Sequence, residues 1–271
     1  MSGHTAIPGL RPETQNAIDA VARAMALAAE RAGAHDVTVK SGRDLVTATD
    51  VAVEDAVREL LGAEPGLPVV GEERGGDAPA DGSAYWVLDP ICGTRNFASG
   101  TPLYCVNLAL VESGQVAVGV VGDPSTGEIA IAERGRGAWA VKDGAHRRLA
   151  TSVESRTIVV EDGKSSGARR EHAARFTADA IRADRWDFRS LGTTLALPYV
   201  AAGRVCAYVV FVVTSIHTAA GSLLVAEAGG TVSDVDGRPW TLGSDSIVAS
   251  AAGGLHGELL RLARAAAPSP G

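Results

Sequence analysis

Three separated segments place acidic side chains where the chain is turning. They are Asp44 with Thr47 and Asp50, then Glu72 and Glu73 behind Gly71, then Asp89 at the head of DPICGTRNF, residues 89–97. Taken singly, each is an ordinary surface acid. Together they can converge on one hard divalent cation, which wants several carboxylate and carbonyl oxygens and leaves positions open for a phosphate substrate. The three cysteines, Cys92, Cys105 and Cys206, are odd in number and lack metal-ribbon spacing, so each is expected to be a thiol rather than half of a disulfide or part of a CxxC zinc site. A free cysteine usually behaves as a small buried hydrophobe. Cys92 stands apart because it lies inside the third acidic segment.

These groups need a frame to hold them. Residues 13–32 carry Ile18, Val21, Met25 and Ala28 at three-and-four spacing, which predicts an amphipathic helix ending near Gly33. A second helix is expected over 49–61, with Val53, Val57 and Leu60 on one face, ending before the turn at Pro65 and Gly66. Short β-branched runs then follow at 67–70, 85–88, 105–112, 117–121, 128–133 and 138–141, punctuated by Gly, Pro and Ser as hairpin strands require. The first half therefore reads as helices on a mostly antiparallel sheet. After residue 150 strands and helices alternate: strands at 157–161, 187–190, 207–212 and 247–251, helices at 168–182, 193–202 and 218–228. The expected units are 1–150 and 151–271, divided after the polar stretch 142–148, and residues 265–271 are expected to fray.

Composition narrows the function classes. With 46% hydrophobic and 21% charged residues, the 271-residue chain can bury a core and is neither disordered nor fibrous. The formal charge of −7, without a Lys/Arg-rich run, argues against nucleic acid as a partner. Apolar stretches such as 205–213 are far shorter than the ~20 residues that span a bilayer, and no signal segment opens the chain, so a cytoplasmic protein without a membrane partner is expected.

The segments DLVTATD (44–50), VVGEE (69–73), WVLDPICGTRNF (86–97) and AAGSLLVAEAGGTVSDVDG (219–237) resemble the signature blocks of the inositol monophosphatase family, in the family's order. The similarity continues through LGTTLALPYVAAGRVCAYVV, 191–210. It implies an α+β or α/β fold, layered as an αβαβα sandwich, with a site between its halves where Mg²⁺ activates water against a phosphate monoester. It also implies a homodimer. Carried over by position, Glu72, Asp89 and the backbone oxygen of Ile91 would hold a first metal, and Thr94 and Asp50 would position the water. At two acids of the family's second metal site this chain has Cys92 and His217. Ile216 replaces a Trp, and Val210 stands where inositol phosphatases have a Glu that reads a sugar hydroxyl.

If that fold gathers positions 92 and 217 around one ion, their side chains face each other, and an imidazole beside a thiol can act as its base. Cys92 is then the nucleophile, His217 the base and Asp123 the orienting acid, with Asp89 as the other candidate for that last role. The Cys, Asp, His order is similar to that of the Dieckmann cyclases, which release tetramates and pyridones from assembly-line thioesters in natural product biosynthesis. On this reading the chain is a cysteine acyl-transfer enzyme without a cofactor. Its partner is an acyl or peptidyl carrier protein bearing a β-ketoacyl thioester. Backbone N–H groups of Gly93 and Thr94 form the oxyanion hole, and Val210 and Ile216 shape an apolar pocket. Two other readings stand beside it. One is a Mg²⁺-dependent phosphomonoesterase that retains Glu72, Asp89 and Ile91 with an altered second metal site. The other is a catalytically silent scaffold. Cysteine sulfur and histidine nitrogen also suit Zn²⁺ better than Mg²⁺.

Overall fold

A computed structural model describes residues 7, 9–32, 37–41, 44–62 and 66–267, with only the backbone given for 37, 39–41, 44 and 45. Gly33, Pro65 and the end of the tail at 268–271 lie outside the described residues.

Strand alternation builds the first sheet. In β4 (Tyr85–Cys92), Trp86 and Leu88 point to one face and Val87 to the other; in β5 (Cys105–Glu112), Val106, Leu108 and Leu110 alternate with Cys105 and Ala109 in the same way. A strand apolar on both faces must be covered on both. One cover is α1 (Pro12–Glu30), whose Ile18, Val21 and Met25 are buried, together with α2 (Ala48–Leu61) through Val53 and Val57. Each such side chain contributes about 1.5–3 kcal/mol on full burial. The other cover is α5 (Ala196–Ala201) with α6 (Ser215–Glu227). Gly119 lets α6 approach, since a Cβ there would lie 2.5 Å from the carbonyl oxygen of Ala220.

The full sheet has seven strands, running from β3 (Val69–Gly71) through β4, β5, β6 (Gln115–Asp123), β7 (Glu128–Glu133) and β8 (Gly137–Lys142) to β9 (Ala145–Arg148). Only β3 and β4 pair in parallel; every later pair is antiparallel. A second sheet of five strands has the order β11 (Asp187–Arg189), β10 (Thr157–Glu161), β12 (Ala207–Val210), β14 (Ile247–Ser250), β13 (Thr231–Ser233). Its outer face is closed by α4 (Gly167–Arg182) and α7 (Gly254–Ala266) around Phe176, Phe211 and Leu259. The order of layers is thus α1/α2, seven strands, α5/α6, five strands, α4/α7, the expected αβαβα sandwich. Both sheets contribute to the central core, through Val87 and Ala109 on one side and Val159 and Tyr208 on the other.

Several elements go beyond the sequence reading. A hairpin of β1 (Val37–Ser41) and β2 (Asp44–Thr47) precedes α2, and a single turn of helix, α3 (Thr94–Ala98), follows β4. Residues 254–266 form α7, and its Leu259, Ala263 and Ala266 are buried, so the chain is anchored to residue 266 rather than frayed from 265. No helix among the described residues is long and apolar enough to cross a membrane.

Candidate active site

The site is assembled by the turn that ends β4. Pairing with β5 slips between Asp89 and Cys92, and Gly93 follows with φ 104°, a left-handed conformation in which a Cβ would lie 2.8 Å from the carbonyl oxygen of Leu103. This bulge and turn bring Asp89, the Ile91 carbonyl, Cys92 and Thr94 to one place.

The start of α2 adds Asp50. Thr47 and Asp50 form a capping box: the Thr47 hydroxyl accepts the Asp50 N–H at 3.3 Å, and Asp50 Oδ2 accepts the Thr47 N–H at 2.9 Å. The other carboxylate oxygen, Oδ1, lies 3.3 Å from Thr94 Oγ1, which is also 3.1 Å from the Ile91 carbonyl oxygen. Burial pushes the Asp50 carboxyl up to about 6 against the hydrogen bonds from Thr47. Asp44 is described by its backbone alone.

Glu72 is held from behind by Glu54, a residue that sequence reasoning missed. The buried Glu54 carboxylate accepts the Glu73 N–H at 2.8 Å and the Arg74 N–H at 3.0 Å, and pairs with Arg58 at 2.7 Å. Gly71 leaves room for it, because a side chain there would collide with that carboxylate. Burial, and the like charge of Asp89, push Glu72 up to about 8. Asp89 is fully buried, and its Oδ1 has no hydrogen-bond donor. The buried Asp89 and the partly buried Glu72 thus face each other, with Asp89 Oδ1 left without a donor.

His217, in the first turn of α6, reaches the same carboxylate: its Nδ1 is 2.7 Å from Asp89 Oδ2 and 3.9 Å from Glu72 Oε2. Burial alone would lower the imidazole pKa, but Asp89 outweighs it, with Cys92 adding to the effect, and holds it well above the usual histidine value. Cys92 has its sulfur bonded by Thr194, from the backbone N–H at 3.3 Å and the hydroxyl at 2.9 Å. Hydrogen bonding to the Cys105 thiol, its partner across the strands, and then burial raise the Cys92 thiol well above its ordinary value. Asp89, Cys92 and His217 each offer one donor atom within 4.8 Å of the others.

The structure brings Cys92 and His217 together as expected but does not bring Asp123 to them. Asp123 Oδ1 accepts from the Ser125 N–H, the Ser125 hydroxyl and the Thr126 N–H, while Oδ2 accepts from the Tyr199 hydroxyl at 3.2 Å. One oxygen closes a turn and the other binds Tyr199, and the acid that orients His217 is Asp89. Glu72, Ile91, Cys92, Gly93, Thr94, Val210 and His217 line a cavity of about 560 Å³ between the sheets. Ile216 does not line it; that side chain packs against the central core. Thr194, Asn107 and Glu161 were also missed. Asn107 donates to Asp89 Oδ2 at 3.5 Å and to the Thr194 hydroxyl at 3.2 Å, and Glu161 accepts the N–H groups of Leu191 and Gly192 to fix the loop leading to Thr194. All three act on the site from other segments of the chain, and none is an acid, cysteine or histidine of the blocks at 44–50, 69–73 and 86–97.

Five layers with acids gathered at a β-bulge between two sheets define a class, and comparison with known proteins agrees with it. The profile of the inositol monophosphatase family matches residues 10–267, and the chain belongs to that family. It is 36% identical over 217 residues to an inositol-1-monophosphatase of Mesorhizobium japonicum, covering 79% of this chain and 80% of that protein. It is 37% identical over 247 residues to a histidinol-phosphatase of Mycobacterium tuberculosis, covering 88% and 92%. Among solved structures it resembles the Thermotoga maritima IMPase, with a TM-score of 0.83, 28% identity and coverage of 94% and 98%.

These findings overturn the cyclase reading, with its thioester chemistry and its role in natural product biosynthesis. Relatives spanning most of the chain include proteins named inositol-1-monophosphatase and histidinol-phosphatase, which places it in an enzyme family of phosphate chemistry. The physical reason lies beside Cys92: a thiol raised by Cys105 and by burial is a poor nucleophile near neutral pH. The expectation that no cofactor is used falls with it, in favour of the Mg²⁺ on which phosphatases of this family depend. Glu72, Asp89 and the Ile91 carbonyl fit that ion, since they offer hard oxygens and the buried Asp89 Oδ1 has no hydrogen-bond donor. Cys92 and His217 do not fit it.

Proposed function

We propose that this chain hydrolyses phosphate monoesters in the cavity between its sheets, with Mg²⁺ held by Glu72, Asp89 and the Ile91 carbonyl. The observation that carries this reading is the buried, donorless Asp89 Oδ1 beside a Glu72 pushed up to about 8, an acid pair that a cation would neutralise. When bound, the ion supplies Lewis-acid polarisation of a phosphoryl oxygen and lowers the pKa of bound water.

Thr94 and Asp50 move the proton. The Thr94 hydroxyl takes hydrogen bonds from the attacking water, and Asp50, 3.3 Å behind it, accepts the proton passed along. A carboxylate raised to about 6 is matched to that work near neutral pH. Gly93 and Thr94, on the cavity wall, bind phosphate oxygens through their backbone N–H groups. The alcohol portion of the substrate lies against Tyr208, Val210 and Val212, an apolar wall that does not single out a polyol.

The test is phosphate release from a panel that includes inositol 1-phosphate, histidinol phosphate and aryl or alkyl phosphates. The chain is first stripped with chelator and then given Mg²⁺. Saturable release that returns with Mg²⁺ and disappears in Asp89→Asn supports the reading; release from no member of the panel overturns it.

A further inference from the structure

We propose that Asp89, Cys92 and His217 form a binding site for a borderline-soft divalent cation, Zn²⁺ foremost, beside the oxygen-lined position. The binding claim stands apart from the phosphatase reading, because it is measured with the metal alone.

The donor set carries the assignment. One carboxylate, one sulfur and one imidazole within 4.8 Å of one another are ligands that Zn²⁺ takes in tetrahedral sites and that Mg²⁺, which demands oxygen in near-octahedral geometry, does not. Bond lengths of about 2.0–2.3 Å place the ligands of such a site roughly 3.3–3.8 Å apart. The ion therefore takes the place of the hydrogen that joins His217 Nδ1 to Asp89 Oδ2 at 2.7 Å, and a small separation of the two side chains admits it.

The surroundings are already those of ligands. Thr194 donates two hydrogen bonds to the Cys92 sulfur, from N–H and hydroxyl, and Asn107 donates to Asp89, so two of the three donors are oriented by groups that do not themselves bind the ion. Asp89 Oδ1, fully buried and without a donor, is an oxygen left unsatisfied within the cluster, an observation separate from the presence of the cysteine and histidine. The raised thiol of Cys92 is no obstacle, because coordination deprotonates a thiol outright; its proton and the one displaced from between His217 and Asp89 both pass to solvent. Cys92 and His217 both border the cavity, so the fourth position of a three-ligand site opens towards whatever the cavity binds.

The experiment titrates the chelator-stripped, untagged full chain with Zn²⁺ by calorimetry and with Co²⁺ by absorption spectroscopy. The expected result is one equivalent of Zn²⁺ bound with an affinity that excess Mg²⁺ does not reverse. Co²⁺ should give a thiolate-to-metal charge-transfer band in the near ultraviolet and tetrahedral visible bands. Thr194→Val is expected to weaken binding about 10–100-fold, as loss of an orienting group does. Cys92→Ser and His217→Ala are expected to weaken it further, with folding checked by circular dichroism, while Cys105→Ser and Cys206→Ser keep the band. A wild-type Co²⁺ spectrum without a thiolate band overturns the proposal, as does a band that persists in folded Cys92→Ser or His217→Ala. Should Cys92→Ser not fold, His217→Ala and the wild-type spectrum decide. Mg²⁺-dependent phosphate release without Zn²⁺ binding refutes this site alone, and Zn²⁺ binding by a chain that releases no phosphate refutes the phosphatase reading alone.

Discussion

Two halves of one site meet at Asp89 and differ in nearly everything else. On one side Asp50, Glu72, Thr94 and the Ile91 carbonyl present only oxygen, and burial drives both Asp50 and Glu72 upward. On the other side Cys92 and His217 present sulfur and nitrogen, fixed by Thr194 and by Asp89 itself. The backbone frame is common to both: the bulge in β4, the left-handed Gly93 and the first turns of α2 and α6 set where each side chain stands. A frame of this kind fixes how many groups converge and how far apart they lie, while side-chain chemistry decides which ion they prefer.

The comparison breaks most readily at the shared residue. Asp89→Asn removes charge from both halves, and phosphate release measured with saturating Mg²⁺ is expected to fall by about 10³-fold or more, with Co²⁺ binding lost as well. An effect on only one of the two readouts would separate the halves. Within the oxygen half, Thr94→Val cuts the proton path to Asp50, and kcat should fall about 10²-fold with little change in KM. The same half sets the acid limb of the pH profile: as pH falls through about 6, Asp50 takes up a proton and kcat declines.

The sulfur and nitrogen half depends on where α6 sits. Gly119→Ala puts a Cβ against the Ala220 carbonyl and pushes the helix carrying His217 off the sheet. Chemical denaturation should show a loss of about 1–3 kcal/mol, with weaker Co²⁺ binding. The smallest effect concerns stability alone. Glu72 is raised from 4.5 to about 8, so folding is favoured while it is protonated and that advantage drains away as pH rises from 4.5 through about 8. Metal-free Glu72→Gln should therefore melt a few degrees above the parent chain at pH 9 and level with it below pH 4.5, in a calorimetric series that Mg²⁺ narrows at the alkaline end.

How much of this could be read in advance depended on whether the signal was local. The acids at 50, 72 and 89, with Thr94, lie in compact blocks, and the capping box at Thr47 and Asp50 needs only four consecutive residues. The paired side chains at 92 and 217 were reachable because the blocks around them fix the fold. Asp123 was misassigned because order along a chain says nothing of direction: its carboxylate closes a turn at Ser125 and Thr126 instead. The temper of Cys92 was hidden too, since Cys105 reaches it by strand pairing and Thr194 from 102 residues away. Helix α7 keeps helical spacing at Leu259, Ala263 and Ala266, but it runs into an Ala- and Pro-rich end whose composition is that of a fraying tail.

Phosphate release by the chelator-stripped chain, followed as Mg²⁺ is restored and compared with Asp89→Asn, tests the central claim most directly. Release that is absent without metal, returns saturably with Mg²⁺ and is missing from the variant is the expected result. Release from none of the phosphate monoesters, or release indifferent to both chelator and Asp89, would contradict it.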